Sequence, residues 1–217
     1  MNTMDTDRDQ SSEAFAFNAD NLKRAKEIIG KYPEGRQQSA VMPLLDLAQR
    51  QNNGWLSQPA LEYVAAYLGM PVIRVAEVAT FYTMYNLQPI GRHHVQVCTN
   101  LSCWLRGSDE ILAVCREKLD LKVGETSEDG TFTLSEVECL CACVNAPIVQ
   151  IDDDFYEDLT ADSMRTILDE LRAGRTPKPG SQIGRTSSEP IGGLTSLTEV
   201  DGAGEAGRPA GRPMGDS

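Results

Sequence analysis

Two cysteine pairs constrain this chain more than any other feature: Cys98-x4-Cys103 and Cys139-x3-Cys143. Four thiolates brought together at the ends of two loops make a closed, soft, anionic cage. Softness of that kind selects iron-sulfur clusters, zinc or Cu(I) over magnesium or calcium. An isolated cysteine is as a rule a buried apolar residue, but two tight pairs read as a metal site.

The pairs alone do not choose the metal. Structural zinc accepts cysteine pairs of either spacing. A two-iron cluster needs two thiolates on each iron, and one pair per iron satisfies that. The plant-type ferredoxin run, three cysteines close together and one distant, is not present. Rieske ligation is excluded: the only histidines, His93 and His94, are adjacent on an expected strand and point to opposite faces. Zinc and Fe2S2 both remain open at this point.

Composition narrows the partners and the compartment. The 217 residues can hold one ordinary domain and a smaller one. With 32 acidic against 20 basic residues the net charge is -12, which disfavours nucleic acid and anionic lipid, since phosphate binding needs clustered Lys and Arg. No apolar run approaches the roughly 18 residues that span a bilayer. The first ten residues carry Asp5, Asp7 and Asp9 and no apolar core, unlike a secretory signal or an acid-poor transit peptide. Six cysteines are then expected as metal ligands or buried thiols in a reducing cytoplasm.

Patterning divides the chain into a flexible arm (1–17), a helical bundle (18–90), a mixed α/β domain (91–174) and an extended or disordered arm (175–217). In the bundle, Leu22, Ala25, Ile28 and Ile29 recur at helical spacing, and residues 40–51 place Val41, Leu44, Leu45 and Ala48 on one face. Pro43 is tolerable there only in a first turn. Pro59 opens a third helix that Gly69 stops, and Pro71 leads a fourth. The methionines and aromatics of this part are expected in its core. From residue 92 the order β-α-β-β-α implies a small mixed sheet covered by helices. Val95 and Val97 mark the first strand, and Ser108 is the expected N-cap of a helix striped by Ile111, Leu112, Cys115 and Leu119. Strands follow around 132–137, 146–151 and 155–156, and Thr160 caps a last helix. All four paired cysteines fall where backbone turns, with Cys103 just before a helix. Cys115 is expected as a core thiol, and Trp104 as simple packing.

The surrounding residues choose between the metals. Residues 77–86 (EVATFYTMYN), 91–112 (GRHHVQVCTNLSCWLRGSDEIL) and 137–147 (VECLCACVNAP) resemble the thioredoxin-like Fe2S2 subunit of respiratory complex I, the "24 kDa" or E subunit of NADH-quinone oxidoreductase. Residues 32–55 are similar to that family's helical domain and 187–198 (SSEPIGGLTSLT) to its C-terminal arm. The resemblance implies an α+β chain, a helical bundle followed by a thioredoxin-like domain, with a [2Fe-2S] cluster on Cys98, Cys103, Cys139 and Cys143. It implies two partners: an FMN-bearing subunit that oxidises NADH, and the large iron-sulfur subunit. The membrane is then met only through the complex, on the cytoplasmic face of the inner membrane. The chain departs from the family at Cys141, where glycine is usual; this thiol could compete as a ligand or sit unused.

A cluster held only by cysteines suits one-electron transfer, at a potential that can be as low as about -400 mV. Glu138 and the acidic background favour the oxidised form, while amides of residues 99–102 are expected donors to sulfur. Gly202-x-Gly-x-x-Gly207 lacks the strand and helix of a dinucleotide fingerprint and reads as chance, so no nucleotide or quinone site is expected on this chain. Three other readings stand beside the electron-transfer subunit: the same module in a soluble NAD-linked hydrogenase or formate dehydrogenase diaphorase, a zinc-bound interaction module, and a thiol oxidoreductase. The last lacks the usual C-x2-C dithiol.

Overall fold

The computed structural model describes residues 14–193, 195 and 196. The chain divides into two compact units, Met1–Arg92 and His93–Ser217. Expectations for residues 1–13 and 197–217, including the glycine run at 202–207, lie outside the described residues.

In the first unit, four helices carry the fold: α1 (Ala19–Ile29), α2 (Val41–Gln51), α3 (Gln58–Leu68) and α4 (Val72–Phe81). Their ends follow from local chemistry. The Asn18 carboxamide accepts the Asn21 N–H at 2.8 Å and caps α1. Pro43 falls in the first turn of α2, where its missing N–H costs nothing. Ser57 caps α3 with Pro59 in the first turn, and Gly69, at φ 62°, ends it in a left-handed turn. Leu44, Leu45, Val64 and Val75 form the fully buried centre. Two expectations are corrected. Within the arm placed at 1–17, Phe15 and Phe17 meet Tyr63 edge-on, so Phe17 belongs to this core and Phe15 packs against it. On α4 only Val75 and Ala79 are buried, while Phe81 at its end and Tyr82 and Met84 just beyond it are exposed rather than core.

The second unit is a five-stranded sheet, β1 (His93–Cys98), β2 (Phe132–Val137), β3 (Val149–Ile151), β4 (Asp154–Glu157) and β5 (Gly180–Ser181), in the order β2-β1-β3-β4-β5. β1 and β2 are parallel, β3 runs antiparallel to β1 and β4, and β5 lies parallel to β4. A parallel neighbour requires a crossover, supplied by α5 (Leu101–Leu105) and α6 (Ser108–Leu119). Val95, Val97, Leu134 and Val149 share a core with Ile111 and Cys115 of α6 and with Met164 and Ile167 of α7 (Ala161–Arg172). Thr160 and Ser163 close a capping box at the start of α7.

Here too the structure amends the sequence reading. α5 is an additional helix. Ser108 is not a cap: Gly107, at φ 97°, takes that place and Ser108 is buried as the first helical residue. β3 starts at Val149 rather than Ala146, since Pro147 has no N–H to give to a ladder. The segment from 175, read as an extended or disordered arm, supplies β5, buries Pro177 and seats Arg185 against Asp158. His93 and His94 do face opposite ways, His93 Nδ1 to Asp152 Oδ2 at 2.9 Å and His94 Nε2 to Ser135 Oγ at 2.8 Å. Burial pulls the His94 pKa below its ordinary value.

Cys115 is fully buried, and burial pushes its pKa up to about 12. We expect it to resist alkylation until the chain unfolds. Cys115→Ser should lower stability by about 1–3 kcal/mol in urea titration, because the new hydroxyl is buried; a serine variant as stable as the parent would contradict a packed thiol.

Candidate metal centre

Parallel pairing of β1 and β2 sets the site. The register places Cys98 beside Val137, so both strands release their loops at the same edge. Cys98 ends β1, and because Val95 and Val97 face the helices, alternation turns Cys98 away from the core they share. Two residues after Val137 the second loop begins with Cys139. Cross-links hold the loops together: Thr99 Oγ1 donates to Glu136 at 2.7 Å and Asn100 Nδ2 to Glu138 at 3.0 Å.

Cys103 precedes α6 as expected, but lies inside the additional helix α5. The Asn100 carboxamide caps α5 by accepting the Leu101 N–H at 2.9 Å, and the turn swings Cys103 back against Cys98. Both are buried, at 1% and 2% exposure, and pack with Ala146 and Ile148. Burial, then a hydrogen bond with Cys98, pushes the Cys103 pKa up to about 12, opposed by the Ile148 amide and reinforced by the nearby charges of Cys98 and Cys143. Cys139 and Cys143 are exposed, with their sulfurs 3.4 Å apart. All four cysteines therefore meet at one edge of the sheet, as two touching pairs. Among the described residues no three His, Cys, Asp or Glu side chains form a set around one metal ion. This donor set, two pairs of soft thiols, fits a two-iron cluster with two thiolates to each iron.

Cys141 sits between the exposed pair with a left-handed backbone, φ 63°. Its amide donates to Cys139 Sγ at 3.3 Å, and its thiol lies 3.8 Å from the Cys139 carbonyl oxygen. The amides of Thr99 and Leu101, expected as sulfur donors, are taken by Val137 O and Asn100 Oδ1 instead; those that reach sulfur belong to Cys141 and Ile148. Trp104 is 54% exposed and donates to Asp109 at 3.1 Å, so it is not core packing. Sequence reasoning missed Ile148 and Arg185, whose Nη2 reaches the carbonyl of Val144 at 3.1 Å.

Comparison with known proteins agrees with this geometry. The model of the family described as thioredoxin-like [2Fe-2S] ferredoxin matches residues 25–172. The chain belongs to that family. The NADH-quinone oxidoreductase E subunit of Rickettsia conorii is 62% identical over 158 residues, covering 73% of this chain and 95% of that protein. Its counterpart from Rickettsia bellii is 60% identical over the same shares. Among solved structures, an NAD+-reducing [NiFe]-hydrogenase superposes with a TM-score of 0.53 at 18% identity, over 60% of this chain and 23% of that one; this likeness concerns the fold alone. The thioredoxin-like [2Fe-2S] fold and cofactor thus follow from family membership.

A side chain in the left-handed region costs about 1 kcal/mol, and glycine would remove that cost at position 141. Cys141→Gly should therefore raise thermal stability by up to about 1 kcal/mol. A lowered melting temperature would mean that the Cys141 thiol itself supports the loop.

Proposed function

We propose that this chain is the electron-transfer subunit of an NADH:quinone oxidoreductase, with Cys98 and Cys103 holding one iron of a [2Fe-2S] cluster and Cys139 and Cys143 the other. The observation that carries the reading is 62% identity to an NADH-quinone oxidoreductase E subunit along 95% of its length. The pairing of the four sulfurs supports the ligand set. When bound, the cluster supplies one-electron chemistry. The chain's own part is to position and shield. Cys98, Cys103 and Ile148 close the inner side against water, while Cys139 and Cys143 stay at the surface. Glu136 and Glu138 bring negative charge to the same edge, disfavouring the more negative, reduced form.

The partners proposed are the FMN-bearing, NADH-oxidising subunit and the large iron-sulfur subunit. An apolar rim supports docking beside the cysteines: Leu101, Trp104, Leu105 and Val144 are all more than half exposed. No helix among the described residues is long and apolar enough to cross a membrane. The place proposed is peripheral, on the cytoplasmic face of the inner membrane, through those partners.

Visible and low-temperature EPR spectra of the purified chain, before and after dithionite, test the reading. A brown protein with a rhombic spin-half signal on reduction is expected. Cys139→Ala or Cys143→Ala should lose most of the cluster, whereas Cys141→Ser and Cys115→Ala keep it. A colourless chain with one zinc per molecule would replace electron transfer with an interaction module.

A further inference from the structure

The loop that carries Cys143 is held from a distant part of the chain. We infer that Arg185 is a positioning residue of the metal centre, clamping the turn Cys143–Asn145 through its guanidinium. The inference rests on the reading of Cys143 as a ligand.

Arg185 comes from the Gly- and Ser-rich segment after β5, where nothing in the pattern marks it, yet its side chain is only 8% exposed and Asp158 opposite it 3%. Nε donates to Asp158 Oδ2 at 3.1 Å and Nη2 to Asp158 Oδ1, a two-pronged pair. The remaining donors reach backbone: Nη2 to Val144 O at 3.1 Å and Nη1 to Glu189 O at 3.0 Å. Asp158 is anchored in turn, accepting from Ser181 Oγ at 2.6 Å and sending its own amide to Asn145 O at 2.6 Å. Asn145 Nδ2 completes the circuit, donating to Ser187 O at 2.8 Å and to Glu157 Oε2 at 2.5 Å. The carbonyls of the two residues after Cys143 are therefore both fixed by this network, one by Arg185 directly and one through Asp158. Only a guanidinium has donors enough, in a rigid fork, to hold a carboxylate and two carbonyls together. Because Asp158 balances its charge at contact, Arg185 acts on Cys143 through geometry more than through its field. Such outer supports of metal ligands affect metal retention strongly.

The test uses the full chain carrying its cluster, with Arg185→Gln, Arg185→Lys and, as a control that weakens the core away from the turn, Leu168→Ala. Three quantities are read: the rate at which visible absorbance bleaches with an iron chelator, the EPR g-values and linewidth after dithionite, and the urea midpoint. Arg185→Gln should lose the cluster about tenfold faster or more, with a broadened or shifted signal. Arg185→Lys should fall between, since a lysine keeps the charge but not the fork, and it carries the comparison alone if the glutamine variant does not fold. Leu168→Ala should lower the midpoint and keep the parental bleaching rate and signal. The inference is overturned if the Arg185 variants match the parent in both rate and signal, or if Leu168→Ala accelerates loss equally for the same fall in midpoint. If the unaltered chain takes up no cluster, the ligand reading itself fails and the clamp falls with it.

Discussion

The parallel pairing of β1 with β2 is the constraint on which the rest of the second unit depends. Two antiparallel neighbours would end at opposite edges and send their following loops apart. Parallel neighbours end together, and the register that sets Cys98 against Val137 brings two loops, distant in sequence, to one place. The crossover through α5 and α6 is the necessary consequence of that pairing, and α5 is short because its task is local. It turns the chain once, from Asn100, so that Cys103 meets Cys98. The core between the sheet and α6 and α7 keeps the two strand ends in register, well away from the sulfurs themselves.

From this arrangement follows an asymmetry between the pairs. Cys98 and Cys103 lie among Ala146 and Ile148, and burial favours the neutral thiol at Cys103. A thiolate is stable there only with positive charge close by, so cation binding at this end must release a proton. Cys139 and Cys143 lie at the surface. One side of the site is thus closed and the other open beside an apolar rim, the arrangement an electron carrier needs if its partner approaches from a single direction.

Much of this was legible in the residues. The cap at Thr160, the helix opening at Pro59, the stop at Gly69, Pro43 in a first turn and the Val95–Val97 alternation are local signals, and local signals survive folding when nothing overrides them. The cysteine spacing pointed to the thiols that the structure gathers at one sheet edge, and the flanking motifs pointed to the [2Fe-2S] family. What was not legible depended on position in three dimensions. Ser108 has the chemistry of a cap, but Gly107 can adopt φ 97° and the chain turns one residue earlier, leaving the hydroxyl inside. Exposed apolar residues on α4 read as core because periodicity reports a face without saying what covers it. Arg185 was invisible for a different reason. A lone arginine among glycines and serines has no pattern, and its meaning appears only when Asp158 and Val144 stand beside it.

The two cysteine loops illustrate how differently one fold can fix its cysteines. Cys98 and Cys103 are set by regular structure, a strand end and a helix turn whose own hydrogen bonds hold the backbone. The second loop has neither. It leaves β2, passes through a left-handed residue at Cys141 and makes a single 3-10 turn at Cys143–Asn145. Backbone of this kind exposes carbonyls that regular structure would have paired, and those carbonyls are what Arg185 and the Asp158 amide take up. The glycine-rich segment after β5 is therefore tied to the cysteine loop, through Arg185 to the Val144 carbonyl and through the Ser187 carbonyl to Asn145. It completes, from the far end of the second unit, hydrogen bonding that the cysteine loop cannot complete for itself.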